Sequence, residues 1–128
     1  MKSLLSALMA IVLIAPTMGT QIYAQSERPP VYENRLLRFS EVMGSVHFLT
    51  LLCTPEEGII WHKKMNDVLD AEDPSELRRA RFIERFNFGF NSFQATYRQC
   101  TPSAQTALDR YLNEAREIVE RLTSDFSG

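Results

Sequence analysis

The chain contains one short phrase twice, Cys53-Thr54-Pro55 and Cys100-Thr101-Pro102. In each copy the cysteine ends a helical pattern, the threonine can cap the next helix, and the proline suits that helix's first turn. Glu57 stands three residues after Thr54 and completes the pattern of a capping box. The two phrases therefore predict two helix–helix junctions, each with a cysteine in the same position.

Apolar residues recur at steps of three and four in four segments, a spacing that is typical of helices with one buried face. The predicted helices cover about 33–52, 54–72, 74–99 and 101 onward, and Asp73 is the expected N-cap of the third. Gly44 would allow another backbone to approach the first helix closely. The residues expected in the core are Leu36, Phe39, Met43, Val46, Thr50, Trp61, Met65, Val68, Leu69, Phe82, Phe86, Phe90, Phe93, Tyr97, Ala104, Leu108, Tyr111, Ala115, Ile118 and Leu122.

Short connections make consecutive helices antiparallel, so the pattern predicts an all-α, up-down-up-down four-helix bundle made of two helical hairpins. Helices one and three then end at the same pole, where Cys53 and Cys100 lie. We expect a disulfide between them, and two buried free thiols are the alternative. Closing a loop of this length stabilises a fold by about 4 kcal/mol in the chain-entropy model.

The N-terminus has the pattern of a secretory signal peptide. Lys2 precedes an apolar run over 4–15, and Ala24 ends a small-residue cleavage motif. The expected organisation is a signal peptide over 1–24, a flexible leader over 25–32 and a helical domain over 33–126. The alternative is that the segment stays uncleaved as an N-terminal anchor. If it is cleaved, we expect no stable membrane span in the mature protein.

The composition argues against several functions. A formal net charge of −2 does not provide the basic surface of a nucleic-acid binder. The two histidines, His47 and His62, stand in no metal-binding spacing, so we expect no metal and no cofactor. No phosphate loop or nucleophile motif is present, and we expect no catalytic residues. If the protein is an enzyme, Glu56 and His62 are the best available candidates for catalytic residues.

Arg78, Arg81 and Arg85 share one face of the third helix. They predict either a docking strip for an anionic envelope component or acidic partner, or a solvated face balanced by Glu76 and Glu84.

Asn87, Phe88 and Asn91 follow on the same helix, and Phe88 points away from the aromatic stripe. We interpret them as the lining of a partner-binding groove or as a packing bend in which Asn87 bonds a backbone group.

Several phrases, taken together over roughly 36–104, resemble a family of small exported alphaproteobacterial proteins of unknown function. They are Cys53-Thr54-Pro55-Glu56 with the following Trp61, Met65 and Leu69, then Ala71-Glu72, Arg79-Ala80-Arg81, Phe86-Asn87-x-Gly89-Phe90 and Tyr97-x-x-Cys100-Thr101-Pro102. The resemblance implies a Gram-negative periplasm and paired cysteines, and it implies no activity or substrate. Phe90 stands where this family usually has tyrosine.

These features favour a non-enzymatic periplasmic protein that binds an envelope partner, either a cell-wall enzyme or an outer-membrane component. One alternative is a carrier of a small apolar ligand near Phe86, Phe90 and Trp61. Another is an enzyme that acts on peptidoglycan. An exposed apolar patch, an enclosed apolar cavity and converging titratable groups would distinguish the three functions.

Overall fold

A computed structural model describes residues 28–126, and it consists of four helices joined by short connections. They are α1 (Glu33–Cys53), α2 (Pro55–Glu72), α3 (Glu76–Thr96) and α4 (Pro102–Phe126). No residue of this range lies in a strand. The all-α prediction is confirmed. The predicted signal peptide and the leader as far as residue 27 lie outside the described residues.

Helix α1 is the centre of the structure. It packs along each of the other three helices, which have little backbone contact with one another. Its Val42, Val46 and Leu49 are completely buried. Neighbouring residue pairs show that α2 and α4 run antiparallel to α1 and that α3 runs parallel to it. The up-down-up-down order is therefore present. In cross-section, however, α1 lies in the middle of the other three helices, and the four helices do not occupy the corners of a square.

The closest approach between helices is that of α1 and α3, and two glycines make it possible. A Cβ atom on Gly44 would overlap the backbone carbonyl oxygen of Phe86. A Cβ atom on Gly89 would overlap the carbonyl oxygen of Glu41. The obstacles are backbone atoms in both cases, so no side-chain movement can relieve them. The expected role of Gly44 is confirmed, and Gly89 provides its counterpart on α3.

The core follows the predicted stripes. Phe82 and Phe86 of α3 are buried, as are Ala104, Ala115 and Ile118 of α4. By length and composition α1 could cross a membrane, with a mean hydropathy of 1.3, but 61% of that stretch is buried inside the molecule. Its apolar character is therefore explained by its central position.

The predicted disulfide joins Cys53 at the end of α1 to Cys100 in the α3–α4 loop, with 5.0 Å between their Cα atoms. Both cysteines of the chain are used, so the alternative of free thiols is wrong for this structure. Helix α3 ends at Thr96 and not near Gln99, which leaves Cys100 outside the helix.

The two Cys-Thr-Pro junctions are capped differently. Thr101 Oγ1 accepts a hydrogen bond from the backbone N–H of Ala104 (3.1 Å), as an N-cap should. Thr54 Oγ1 instead donates to the carbonyl oxygen of Thr50 at 3.4 Å, and Thr54 makes no side-chain cap. The capping box predicted at Thr54 is therefore wrong. Thr54 also terminates α1, where its N–H bonds to the Thr50 carbonyl oxygen (2.7 Å), and its side chain turns back to that helix.

The start of α3 also differs from the prediction. Asp73 terminates α2 in the left-handed conformation (φ 43°, ψ 53°), which aspartate tolerates better than most residues. Ser75 is the N-cap of α3, and its side chain accepts from the N–H of Arg78 at 3.5 Å. The predicted Asp73 cap and the start at Pro74 are therefore wrong by two residues.

Replacing either interhelical glycine should destabilise the protein although alanine is the better helix former. We expect Gly44→Ala and Gly89→Ala each to lower the free energy of unfolding by about 2–3 kcal/mol, because backbone atoms block the new methyl group. Gly58→Ala is the control, since its Cβ would mainly meet the flexible side chain of Leu51. Chemical denaturation measures all three. Two interhelical variants as stable as the wild type would contradict the close contact.

The two junction threonines should respond differently to the same substitution. Thr101→Ala should cost about 1 kcal/mol because it leaves the Ala104 N–H without its acceptor. Thr54→Ala removes only a long hydrogen bond to Thr50 and should cost less than half of that. Denaturant midpoints of the two variants give the comparison, and equal losses would restore the capping box at Thr54.

Candidate functional site

An open apolar groove runs between α2 and α4, and α1 forms its floor. Its volume is about 610 Å³. Phe39 and Met43 form the floor, whereas α2 and α4 provide the walls. The wall residues are Trp61, Lys64, Asp67, Val68, Leu112, Ala115, Arg116, Val119 and Glu120.

The helical spacing of the wall residues explains how the groove arises. Trp61 and Val68 are seven residues apart on α2, and Leu112 and Val119 are seven apart on α4. Each pair therefore lies along one side of its helix, beside the core face. Val119 is 43% exposed although it is apolar. The walls thus present apolar side chains that no other described helix covers.

Trp61 contributes an unusual feature to the α2 wall. Its indole N–H is buried and has no hydrogen-bond acceptor among the described residues. A buried donor without an acceptor costs about 1–3 kcal/mol.

The α2 and α4 walls of the groove carry charges of both signs. On α2, Lys64 stands near Asp67, which also pairs with Lys63 at 3.0 Å. On α4, Arg116 hydrogen-bonds to the side chain of Asn113 (3.0 Å), and Glu120 lies one turn further on. The side chains of Lys64 and Glu120 form no ion pair within residues 28–126. Each wall therefore offers one cation and one anion to a ligand.

Arg78 does not belong to a surface strip. Its guanidinium lies 2.6 Å from both Glu33 and Glu72, and its side chain is only 13% exposed. Its hydrogen bond to Glu33 raises the pKa of Arg78 further above its usual range. Tyr32 donates to the same Glu72 carboxylate at 3.2 Å, and burial together with this carboxylate raises the pKa of Tyr32. This cluster ties α1, α2 and α3 together at the pole opposite the disulfide.

The other two arginines of the predicted strip are more accessible. Arg85 is 3.3 Å from Glu41 and about half exposed, and Arg81 is exposed without an ion-pair partner in the described chain. The structure thus separates Arg78 from them. A docking role for Arg81 and Arg85 stays a prediction.

Asn87, Phe88 and Asn91 do come together on the outer face of α3. They line a shallow depression that also includes Ile83. Phe88 is 56% exposed. The depression is wide and open, and a partner-binding role for these three residues stays a prediction.

The candidates for catalysis are not assembled into a site. His62 Nδ1 is paired with the Asn66 amide at 3.3 Å, and the side chain of the exposed Glu56 forms no hydrogen bond within residues 28–126. Sequence reasoning missed the groove on α4. The sequence feature that could have indicated the groove is the apolar pair Leu112 and Val119. Each of them follows a residue of the apolar heptad pattern of α4 by one position.

The fold and the groove define a small, disulfide-linked helical protein with an open apolar groove beside its central helix. Residues 30–126 match the family described as "Protein of unknown function (DUF2385)", and the chain belongs to this family. No curated protein matches the chain. No solved structure matches it either.

The buried position of Arg78 leads to a direct prediction. Arg78→Gln should lower the free energy of unfolding by about 3 kcal/mol, because two nearly buried carboxylates lose their cation. Arg81→Gln, on the exposed face of the same helix, should change it by less than about 0.5 kcal/mol. Urea denaturation of the two variants tests this, and equal effects of the two changes would contradict the cluster.

Proposed function

We propose that this protein is a non-enzymatic binding protein of the periplasm, and that its α2–α4 groove receives an amphipathic helix of an envelope partner protein. The observation that carries the proposal is the groove itself. Its floor is one helix and its walls are two others, so it has the shape of an empty helix position beside α1. Binding of an amphipathic helix in an apolar groove is a recurrent mode of peptide recognition.

The dimensions of the groove support this occupant. The α2 wall extends from Trp61 to Val68, and the α4 wall from Leu112 to Glu120. At 1.5 Å per residue, these walls are about 11–12 Å long, which equals two helical turns. A partner helix would therefore place apolar residues at positions i, i+3 or i+4, and i+7 against Phe39, Met43 and Val119.

The charges support a protein partner over an anionic lipid. Lys64 and Arg116 could bind a carboxylate or phosphate group, but Asp67 and Glu120 stand on the same two walls. A helix with both signs on its flanks would satisfy all four residues.

The proposed compartment rests on two observations. The N-terminal sequence has the pattern of a signal peptide. The disulfide between Cys53 and Cys100 suits an oxidising compartment such as the periplasm. Within that compartment, a cell-wall enzyme or an outer-membrane component is the partner class that we propose.

The volume of the groove also favours a second candidate, a carrier of small apolar ligands. Ligand pockets commonly measure about 300–1,000 Å³, and this groove lies in that range. The groove is open along its length, however, whereas carriers bury most of the ligand surface. Native mass spectrometry of the purified protein tests the carrier function, which requires a bound molecule of defined mass.

A pair of matched substitutions tests the groove as a helix-binding site. A photoreactive amino acid at Lys64, on the α2 wall, should crosslink a discrete envelope protein in cells. Val119→Glu should abolish this crosslink because it places a charge in the apolar wall. Leu77→Glu is the control, since Leu77 is an exposed apolar residue (69%) on α3, outside both the groove and the depression around Phe88.

The identity of the crosslinked segment decides the outcome. Peptide mapping should place the crosslink on a segment with apolar residues every three or four positions. A photoreactive group at Ile59, which is on α2 but outside the groove, should not give the same product. A crosslink that survives Val119→Glu, or that maps to an extended polar segment, would contradict the proposal.

A further inference from the structure

The fold brings the two histidines of the chain together, although fifteen positions separate them in sequence. His47 extends from α1 and His62 from α2, and their ring centroids are 5.8 Å apart. They lie near Phe86 of α3, which is within 6 Å of both rings. This cluster is on the α2–α3 side of the molecule, away from the groove between α2 and α4.

The Nδ1 atoms of both imidazoles are already engaged. His47 Nδ1 lies 2.9 Å from the carbonyl oxygen of Gly58, so Nδ1 must donate and the lone pair of the neutral ring is on Nε2. His62 Nδ1 lies 3.3 Å from the Asn66 amide. Turning that amide by half a turn lets its oxygen accept from Nδ1, which leaves the Nε2 lone pair of His62 free as well. Hydrogen bonds of this kind orient histidines that bind metal ions.

The separation of the rings fits two imidazoles on one metal ion. With metal–nitrogen bonds of about 2.0 Å, the ring centroids are about 5 Å apart at a tetrahedral angle and about 6 Å apart in a linear arrangement. The observed 5.8 Å lies between these limits. The separation of the two rings is therefore compatible with one ion between them.

The surroundings determine which ion would suit the site. Met65, one turn after His62, lines a small cavity of about 70 Å³ together with His62 and Phe86. Within residues 28–126, no group of three or more histidine, cysteine or acidic residues is placed to hold a metal ion. The described residues therefore do not provide the four such ligands that a divalent ion with this coordination requires. Cu(I) accepts two or three ligands and prefers nitrogen and thioether donors.

We propose that His47 and His62 form a binding site for Cu(I), with the Met65 thioether as a third donor. The two histidines belong to different helices, so the ion would link α1 to α2. Any ion that binds only the folded state stabilises it by mass action. The site shares no residue with the proposed helix-binding groove, so it stands or falls independently of that function.

Titration with Ag⁺ tests the site in untagged protein and chloride-free buffer. Ag⁺ has the same charge as Cu(I) and is not oxidised under these conditions. We expect saturable 1:1 binding, with simultaneous shifts of the Nε2 resonances of both imidazoles in long-range ¹H–¹⁵N NMR spectra. Competition with a Cu(I)-specific chelator then measures the affinity for Cu(I) under reducing conditions that leave the disulfide intact.

Substitutions separate the site from non-specific binding. His62→Gln, at an exposed position, should weaken Ag⁺ binding at least about tenfold, since even loss of an outer hydrogen-bond partner costs about 10- to 100-fold. Lys64→Gln on the same helix is the control and should leave the affinity unchanged. Met65→Leu should weaken binding of Cu(I) while preserving the core volume. Unchanged affinity in His62→Gln, or a shift of only one imidazole in the wild type, would overturn the proposal.

Discussion

The close contact between α1 and α3 is the constraint on which the remaining structure depends. Gly44 and Gly89 have no side chains, so the backbones of α1 and α3 pack directly together. In a square four-helix bundle these two helices would be diagonal neighbours. Helix α1 then occupies the middle of the molecule, where most of its faces must be apolar. The same displacement leaves α2 and α4 with little backbone contact along the far side of α1. The glycine contact therefore explains both the hydropathy of α1 and the presence of the groove.

The two poles of this arrangement are held by different kinds of chemistry. At one pole, the bond between Cys53 and Cys100 ties the end of α1 to the α3–α4 loop. At the other pole, Arg78 forms ion pairs with Glu33 and Glu72, which come from two further helices. The first link depends on the redox state and the second on a single guanidinium. Because both links include α1, the central helix is restrained at its two ends while the sides of the bundle remain available.

The sequence was informative wherever the information is local or periodic. The heptad seam of α4 and the aromatic stripe of α3 followed from spacing. The disulfide followed from the expected export and from the two cysteines at one pole of the predicted bundle. Overlapping local patterns caused the errors: Asp73 and Ser75 both precede Glu76 at plausible capping positions, and only the left-handed backbone of Asp73 distinguishes them. Arg78 was misplaced because its partner Glu33 is 45 residues away. The groove and the histidine pair likewise depend on which helices become neighbours, and no local pattern determines that.

The restraint of α1 at both poles has a kinetic consequence for any molecule that enters the groove. The groove opens sideways between α2 and α4, so a molecule can enter it without breaking the disulfide or the Arg78 cluster. The conformational entropy lost on association is then that of the incoming segment, because the groove of this protein is already formed. Encounter rates should consequently be set by diffusion and by folding of the partner segment, and not by opening of this bundle.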